Sequence, residues 1–176
     1  MSSDGPKRRI RRWRRWGLEA AVIVAVFSGM QIWLSRGSVS GEAPFLAGYG
    51  PDGVPVNGTG VSDGSPRIVH FWATWCGICG AMDDNISMLA RHHNVTTVAL
   101  KSAPGEDVSA HMRERDLEFA VIMDNDGRQA ARWGVRGVPT TFFVSGDGQI
   151  EHVTIGYSTR LGLLARSWWF ALTADS

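Results

Sequence analysis

The chain has 176 residues, 44% hydrophobic and 20% charged, which suits one domain with an appendage and is too short for two full domains. Its formal net charge of +1 hides a lopsided distribution: seven basic side chains (Lys7, Arg8, Arg9, Arg11, Arg12, Arg14, Arg15) oppose only Asp4 in residues 1–16, whereas residues 17–176 hold 11 basic and 16 acidic groups. With only two cysteines, Cys76 and Cys79, the chain cannot build a disulfide scaffold, and a structural zinc site lacks ligands at the usual spacing.

Residues 1–17 read as a cytoplasmic basic tail. A basic tail can bind nucleic acid, but the stretch that follows argues for a membrane instead. Residues 18–34 (LEAAVIVAVFSGMQIWL) carry one charge, Glu19, and read as a transmembrane signal anchor. Seventeen helical residues span about 26 Å at ~1.5 Å each, slightly short of a hydrocarbon core of ~30 Å. Trp13, Trp16 and Trp33 flank the stretch, where indoles favour the interface. The basic block keeps the N-terminus inside and sends the rest out. A cleavable signal peptide and a twin-arginine signal at Arg14–Arg15 are the competing readings, and all three place the domain outside the cytoplasm.

Residues 35–66 hold eight glycines and four prolines and read as a tether followed by an irregular hairpin over 44–61. From Arg67 onward, strands and helices alternate. Strands are expected at 68–72, 95–100, 119–123, 140–144 and 150–156, the last two joined by the turn Gly146-Asp147-Gly148. Helices are expected at 76–91, 106–116, 126–133 and 159–172. This order predicts an α/β domain over 67–176, a central mixed sheet with helices on both faces.

The chemistry concentrates in Phe71-Trp72-Ala73-Thr74-Trp75-Cys76-Gly77-Ile78-Cys79, where a strand turns into a helix. A cysteine at that point faces unpaired backbone N–H groups and the positive end of the helix dipole, which favour thiolate. Thiolate is the attacking species in disulfide exchange. Cys76 is therefore expected to be the nucleophile and Cys79, deeper in the helix, the resolving thiol. Gly77 leaves room for a substrate to approach. About 60 residues downstream, Gly137-Val138-Pro139-Thr140-Thr141-Phe142 leads directly into a strand.

Together these motifs give the chain a resemblance to thioredoxin-fold oxidoreductases, from about Pro44 to Arg166. More narrowly, the tract RWGVRGVPTTFFVSGDGQI is similar to the membrane-anchored TlpA/ResA-type group and its ScsD-like members. The resemblance implies the thioredoxin fold, with Pro139 as a cis-proline beside the cysteines. It implies that Val138 offers backbone groups to an extended substrate and crowds metal away from the thiols. Trp75 matches the aromatic that shields the nucleophile, and Trp72 a residue packed beneath the loop; Ile78 completes the substrate-facing dipeptide. It further implies exchange with exported protein thiols and disulfides, no cofactor, and an integral membrane electron donor of the DsbD, CcdA or ScsB type. The resemblance implies roles that include keeping apocytochrome or other exported thiols reduced and, among ScsD-like members, copper tolerance. Ile78 has no group to hydrogen-bond a thiolate, which tilts the reading toward a reductant; a disulfide-donating oxidant is the alternative within the class.

One position departs from the pattern. Thioredoxins place a buried Asp six residues before the first cysteine, and this chain has His70 there. A buried neutral imidazole there reads either as a proton acceptor for Cys79 or as a core histidine satisfied by one hydrogen bond. His92-His93 reads as a helix C-terminus suited to imidazole, with a metal role as the competing reading. Met82 reads as helix core, or as a soft Cu(I) ligand with the cysteines. Trp168-Trp169-Phe170 reads as sheet packing, or as a partner or membrane contact. A membrane-tethered Cu(I)- or partner-binding module without redox turnover is the reading from a different class.

Overall fold

The computed structural model describes residues 40–58, 64–102 and 105–173, together with Trp16, Gly17, Glu19, Ala21, Val22, Ala25, Val26 and Gly29, which are helical. The chain divides into two units, Met1–Arg36 and Gly37–Ser176. No helix among the described residues is long and apolar enough to cross a membrane. Most of the basic tail and most of the expected anchor lie outside the described residues, as do the side chains of Trp168, Trp169 and Phe170.

In the second unit, the strands are β1 (Gly41–Glu42), β2 (Ala47–Tyr49), β3 (Pro55–Asn57), β4 (Arg67–Trp72), β5 (Asn94–Leu100), β6 (Ala120–Asp124), β7 (Thr140–Val144) and β8 (Gln149–Ile155). The helices are α1 (Gly77–Gly80), α2 (Asp83–Ala90), α3 (Gly105–Glu114), α4 (Arg128–Arg132) and α5 (Arg160–Thr173). Six strands form one mixed sheet in the order β1-β8-β7-β4-β5-β6. Strands β4, β5 and β6 run parallel, while β7 pairs antiparallel with β4, and β8 with β7. Because β4 is central and covered on both faces, it reads as a nearly unbroken apolar run, Ile68 to Trp72.

Alternation along β4 sends its side chains to two cores. Val69 and Phe71 join Val98, Ile122 and Phe142 on one face, beneath Ala130 of α4 and Trp133 just after it. Ile68 meets Met82, Ile86 and Leu89 at the start of and along α2, and Leu163 of α5, on the other face. Trp72 packs there with Cys79, Ala99, Val121 and Val108 of α3. The fold is thus the thioredoxin-like α/β arrangement, with helices on both faces of the sheet.

The separate hairpin β2–β3 turns at Gly50–Val54, where Gly53 adopts φ 78° in the left-handed region that glycine enters without strain. Asp52 Oδ1 accepts from the Val54 N–H at 3.1 Å and fixes the turn.

The helix expected over 76–91 is two helices. After α1 the hydrogen bonding tightens, with the Met82 N–H bonding the Cys79 carbonyl at 2.8 Å, and α2 starts afresh at Asp83. Two causes coincide: Gly80 is a weak helix former, and its carbonyl accepts from Arg115 Nη1 at 3.0 Å.

Candidate active site

Strand β4 ends at Trp72, and the chain turns so that the Cys76 N–H bonds the Ala73 carbonyl at 3.1 Å. Cys76 is extended (φ −93°, ψ 101°) and caps α1 with its own sulfur. The Cys79 N–H donates to Cys76 Sγ at 3.2 Å, and the two cysteines are joined as a disulfide with Cα atoms 5.2 Å apart. That N–H is the specific donor available to a thiolate on Cys76. A four-residue helix supplies little macrodipole, so this bond carries the stabilisation that the sequence pattern assigned to a long helix.

Exposure separates the two sulfurs' residues. Cys79 is fully buried against Trp72 and Val108, whereas Cys76 is partly exposed. Around Cys76 lie exposed Trp75, Gly77 and Ile78. A Cβ on Gly77 would meet nothing within 4 Å, so packing does not demand glycine there; the position opens onto free space.

The Val138–Pro139 peptide bond is cis, and Cys76 Sγ lies 3.7 Å from the Val138 carbonyl oxygen. The Gly156 N–H donates to the Pro139 carbonyl at 2.8 Å, and Thr140 Oγ1 donates to the Gly137 carbonyl at 2.7 Å, so the loop is tied at both ends. Pro139 is buried and Val138 partly buried. The structure therefore brings Cys76, Val138 and Pro139 together, with Trp75 and Ile78 on the rim.

Two residues that the sequence reading passed over fix the rim. Trp75 Nε1 donates to the Lys101 carbonyl at 3.1 Å, and the Thr74 N–H donates to Ser102 Oγ at 3.2 Å. Lys101 is one of two non-glycine residues with positive φ, at 42°, among the described residues. Its position just after a β-branched strand was the available signal.

His70 lies on β4, 3% exposed, with Nδ1 2.9 Å from Thr141 Oγ1. Burial pushes its pKa down from 6.5 to about 3. The ring is therefore neutral at physiological pH, and its surroundings resist the charge that accepting a proton would create.

A second missed group borders the cysteine turn. Asp83 Oδ2 sits 2.9 Å from His111 Nε2 and 3.3 Å from Arg115 Nη1. Burial pushes the Asp83 carboxyl up, against the opposing pull of His111 and Arg115. The four-residue spacing of His111 and Arg115 put both on one helix face, which was the readable part of the signal.

Met82 is fully buried with Ile68, Ile86 and Leu89. The N–H groups of His92 and His93 close the end of α2 onto the Leu89 carbonyl, at 3.0 and 2.9 Å. Among the described residues, no group of three or more His, Cys, Asp or Glu is placed to hold a metal ion.

The Redoxin family model matches residues 40–163. The chain is 31% identical over 150 residues to the thiol-disulfide oxidoreductase ResA of Oceanobacillus iheyensis, covering 81% of this chain and 78% of that protein. It is 35% identical over 86 residues to a thiol:disulfide interchange protein DsbE homolog of Paracoccus denitrificans, covering 49% and 48%. The chain spans about half the length of several curated relatives it matches. Among solved structures, StoA from Bacillus subtilis superposes with a TM-score of 0.61 at 21% identity, covering 70% of this chain and 96% of that one, a likeness of fold. With a family match across most of the second unit and ResA matched over most of its length, the chain belongs to the Redoxin family, alongside its DsbE- and ResA-type thiol-disulfide oxidoreductases.

Proposed function

We propose that the chain is a membrane-anchored, extracytoplasmic thiol–disulfide oxidoreductase that exchanges the Cys76–Cys79 pair with exported proteins, working as a reductant. The supporting observation is the pairing of a partly exposed Cys76, held against the Val138–Pro139 loop, with a fully buried Cys79. In the reductive direction, the Cys76 thiolate attacks a partner disulfide and releases one partner sulfur as thiolate. Cys79, deprotonated, then attacks Cys76 Sγ, forming the Cys76–Cys79 disulfide and freeing the second partner sulfur. Two electrons pass to the partner, and two protons follow them onto its thiols.

The rim supports a peptide partner. The Val138 backbone beside Cys76 suits an extended chain added in β-augmentation, and Trp75, Gly77 and Ile78 offer an apolar shoulder around it. Regeneration calls for an integral membrane electron donor of the DsbD, CcdA or ScsB type, and the fitting tasks are cytochrome c maturation or copper tolerance. The direction rests on Ile78, which gives the thiolate no hydrogen bond.

Equilibrating the full-length chain in mild detergent against glutathione tests this. A reduction potential near or below ~−270 mV marks a reductant that needs a membrane electron supply, and a value near ~−120 mV marks a disulfide donor and overturns the direction. Failure to reduce insulin disulfides under dithiothreitol recycling rejects exchange altogether.

A further inference from the structure

The turn that carries the cysteines is only four residues long and cannot hold its shape by helical cooperativity. Its last carbonyl, on Gly80, accepts from Arg115 Nη1 at 3.0 Å. The same nitrogen lies 3.3 Å from Asp83 Oδ2, the first residue of α2, and that oxygen is 2.9 Å from His111 Nε2. The His111 ring lies on Trp72 with centroids 5.3 Å apart and planes tilted 34°. Trp72 in turn packs against Cys79. The fit over the turn is close: a Cβ on Gly80 would come within 3.3 Å of the Arg115 guanidinium.

We propose that Arg115 is a positioning residue for the cysteine pair, with Asp83 as its counter-charge: the guanidinium holds the end of the Cys76–Gly80 turn and favours the reduced pair, and the Asp83 carboxylate opposes it. This deepens the exchange reading above and rests on it. Two-electron reduction of the disulfide, with uptake of one proton, leaves a thiol on Cys79 and a thiolate on Cys76. The Gly80 N–H bonds the Cys76 carbonyl at 3.2 Å, so that thiolate stands one turn from the guanidinium. A cation there favours thiolate and a carboxylate disfavours it.

The groups facing Asp83 are Arg115 and His111 from the α3 segment, and Asp84, exposed, beside it on α2. The Asp83 side chain is 6% exposed, so its charge depends on these partners. Arg115 is 49% exposed, so water and salt screen its field and the effect on the thiolate is modest.

The two charges give opposite signs. Removing the guanidinium leaves the Asp83 carboxylate, still paired with His111, without its cation at the turn and shifts the pair toward disulfide. Removing the carboxylate charge leaves Arg115 acting alone and shifts it toward dithiol. A cluster that merely held the fold together would shift both variants alike.

The test is the equilibrium constant of the full-length chain with glutathione, in mild detergent at neutral pH, for wild type, Arg115→Met, Arg115→Lys and Asp83→Asn. Arg115→Met is expected to move about tenfold toward disulfide, about 30 mV more reducing for a two-electron couple. Arg115→Lys keeps the charge but loses the fork, so it should fall between wild type and Arg115→Met. Asp83→Asn should move the other way. Should circular dichroism show that Asp83→Asn fails to fold, the two Arg115 variants decide alone. Arg115→Met within twofold of wild type, or Arg115→Met and Asp83→Asn shifted in the same direction, overturns the proposal. A wild-type chain that does not equilibrate with glutathione overturns the exchange reading itself.

Discussion

At the scale of single residues, burial makes two chemically identical thiols unequal in exposure. Cys76 is partly exposed, whereas Cys79 is fully buried against Trp72 and Val108, which fits the proposed roles of attacking and resolving thiol. A Cys79→Ala variant should therefore accumulate mixed disulfides through Cys76, visible on non-reducing gels and cleaved by dithiothreitol. Cys76→Ala should trap none; equal trapping by both variants would refute the assignment of roles. His70 yields a prediction about stability. Its folded pKa, pushed down from 6.5 to about 3, means the unfolded chain binds the extra proton across that window. Stability then rises with pH between those values and is lost as pH falls, by about 1.4 kcal/mol per unit at the steepest. Urea titrations at pH 7 and pH 5 should differ by about 2 kcal/mol more for wild type than for His70→Phe. An unchanged difference would mean that His70 takes up its proton in the folded state. The cysteines and Pro139 were legible in the sequence because they sit in short local motifs. Arg115 and Lys101 were not, because each acts on the site through a backbone carbonyl or a charge supplied 26 to 35 positions away in the chain.

At the scale of elements, hydrophobic pattern located the expected strands and three of the four expected helices to within two residues, and missed the break after the cysteines. Strand β7 was expected at 140–144 and is found there, since a run of Thr, Phe and Val buried on both faces has no other use. The helix after the cysteines was expected as one piece because nothing in residues 76–91 is proline; Gly80 was the local sign of a break, and the Arg115 bond to its carbonyl is the part no local pattern reveals. Helix α4 shows a related non-local device. Its N-cap, Gly127, has a left-handed backbone and no side chain to cap with. The cap is supplied by Asp124 at the end of β6, whose carboxylate oxygens accept from the Gln129 N–H at 3.0 Å and the Ala130 N–H at 2.8 Å. Asp124 is 2% exposed, so truncating it strands two donors in a dry site. Asp124→Ala should cost about 2 kcal/mol in a urea titration, whereas Asp126→Ala, exposed on the same loop, should cost well under half of that. Equal losses would show that the cap does not hold α4.

At the scale of the whole molecule, the division of charge is the strongest physical argument about location. Under the proposed reading, a tail with seven basic groups would be retained on the cytoplasmic side of an energised membrane while the domain that follows crosses. The chain offers an unusually direct test, because its only two cysteines are the reactive pair and no other thiol competes for a label. Intact cells or spheroplasts treated with a mild impermeant reductant and then a charged, membrane-impermeant maleimide should label the chain, and label it at Cys76 far faster than at buried Cys79. The labelled chain should stay with the membrane through an alkaline carbonate wash. Neutralising Arg8, Arg9, Arg11 and Arg12 together should lower the labelled fraction in intact cells and raise it only after lysis, because the tail would then no longer fix the orientation. Wild-type labelling confined to lysed cells would place the cysteines inside and defeat the extracytoplasmic reading, whatever the redox chemistry. Release of the labelled wild-type chain by carbonate would leave the cysteines outside and remove the anchor. Where the pair faces outward and stays attached, its substrates are limited to proteins within reach of one membrane face, and electrons for its reduction have to come through that membrane.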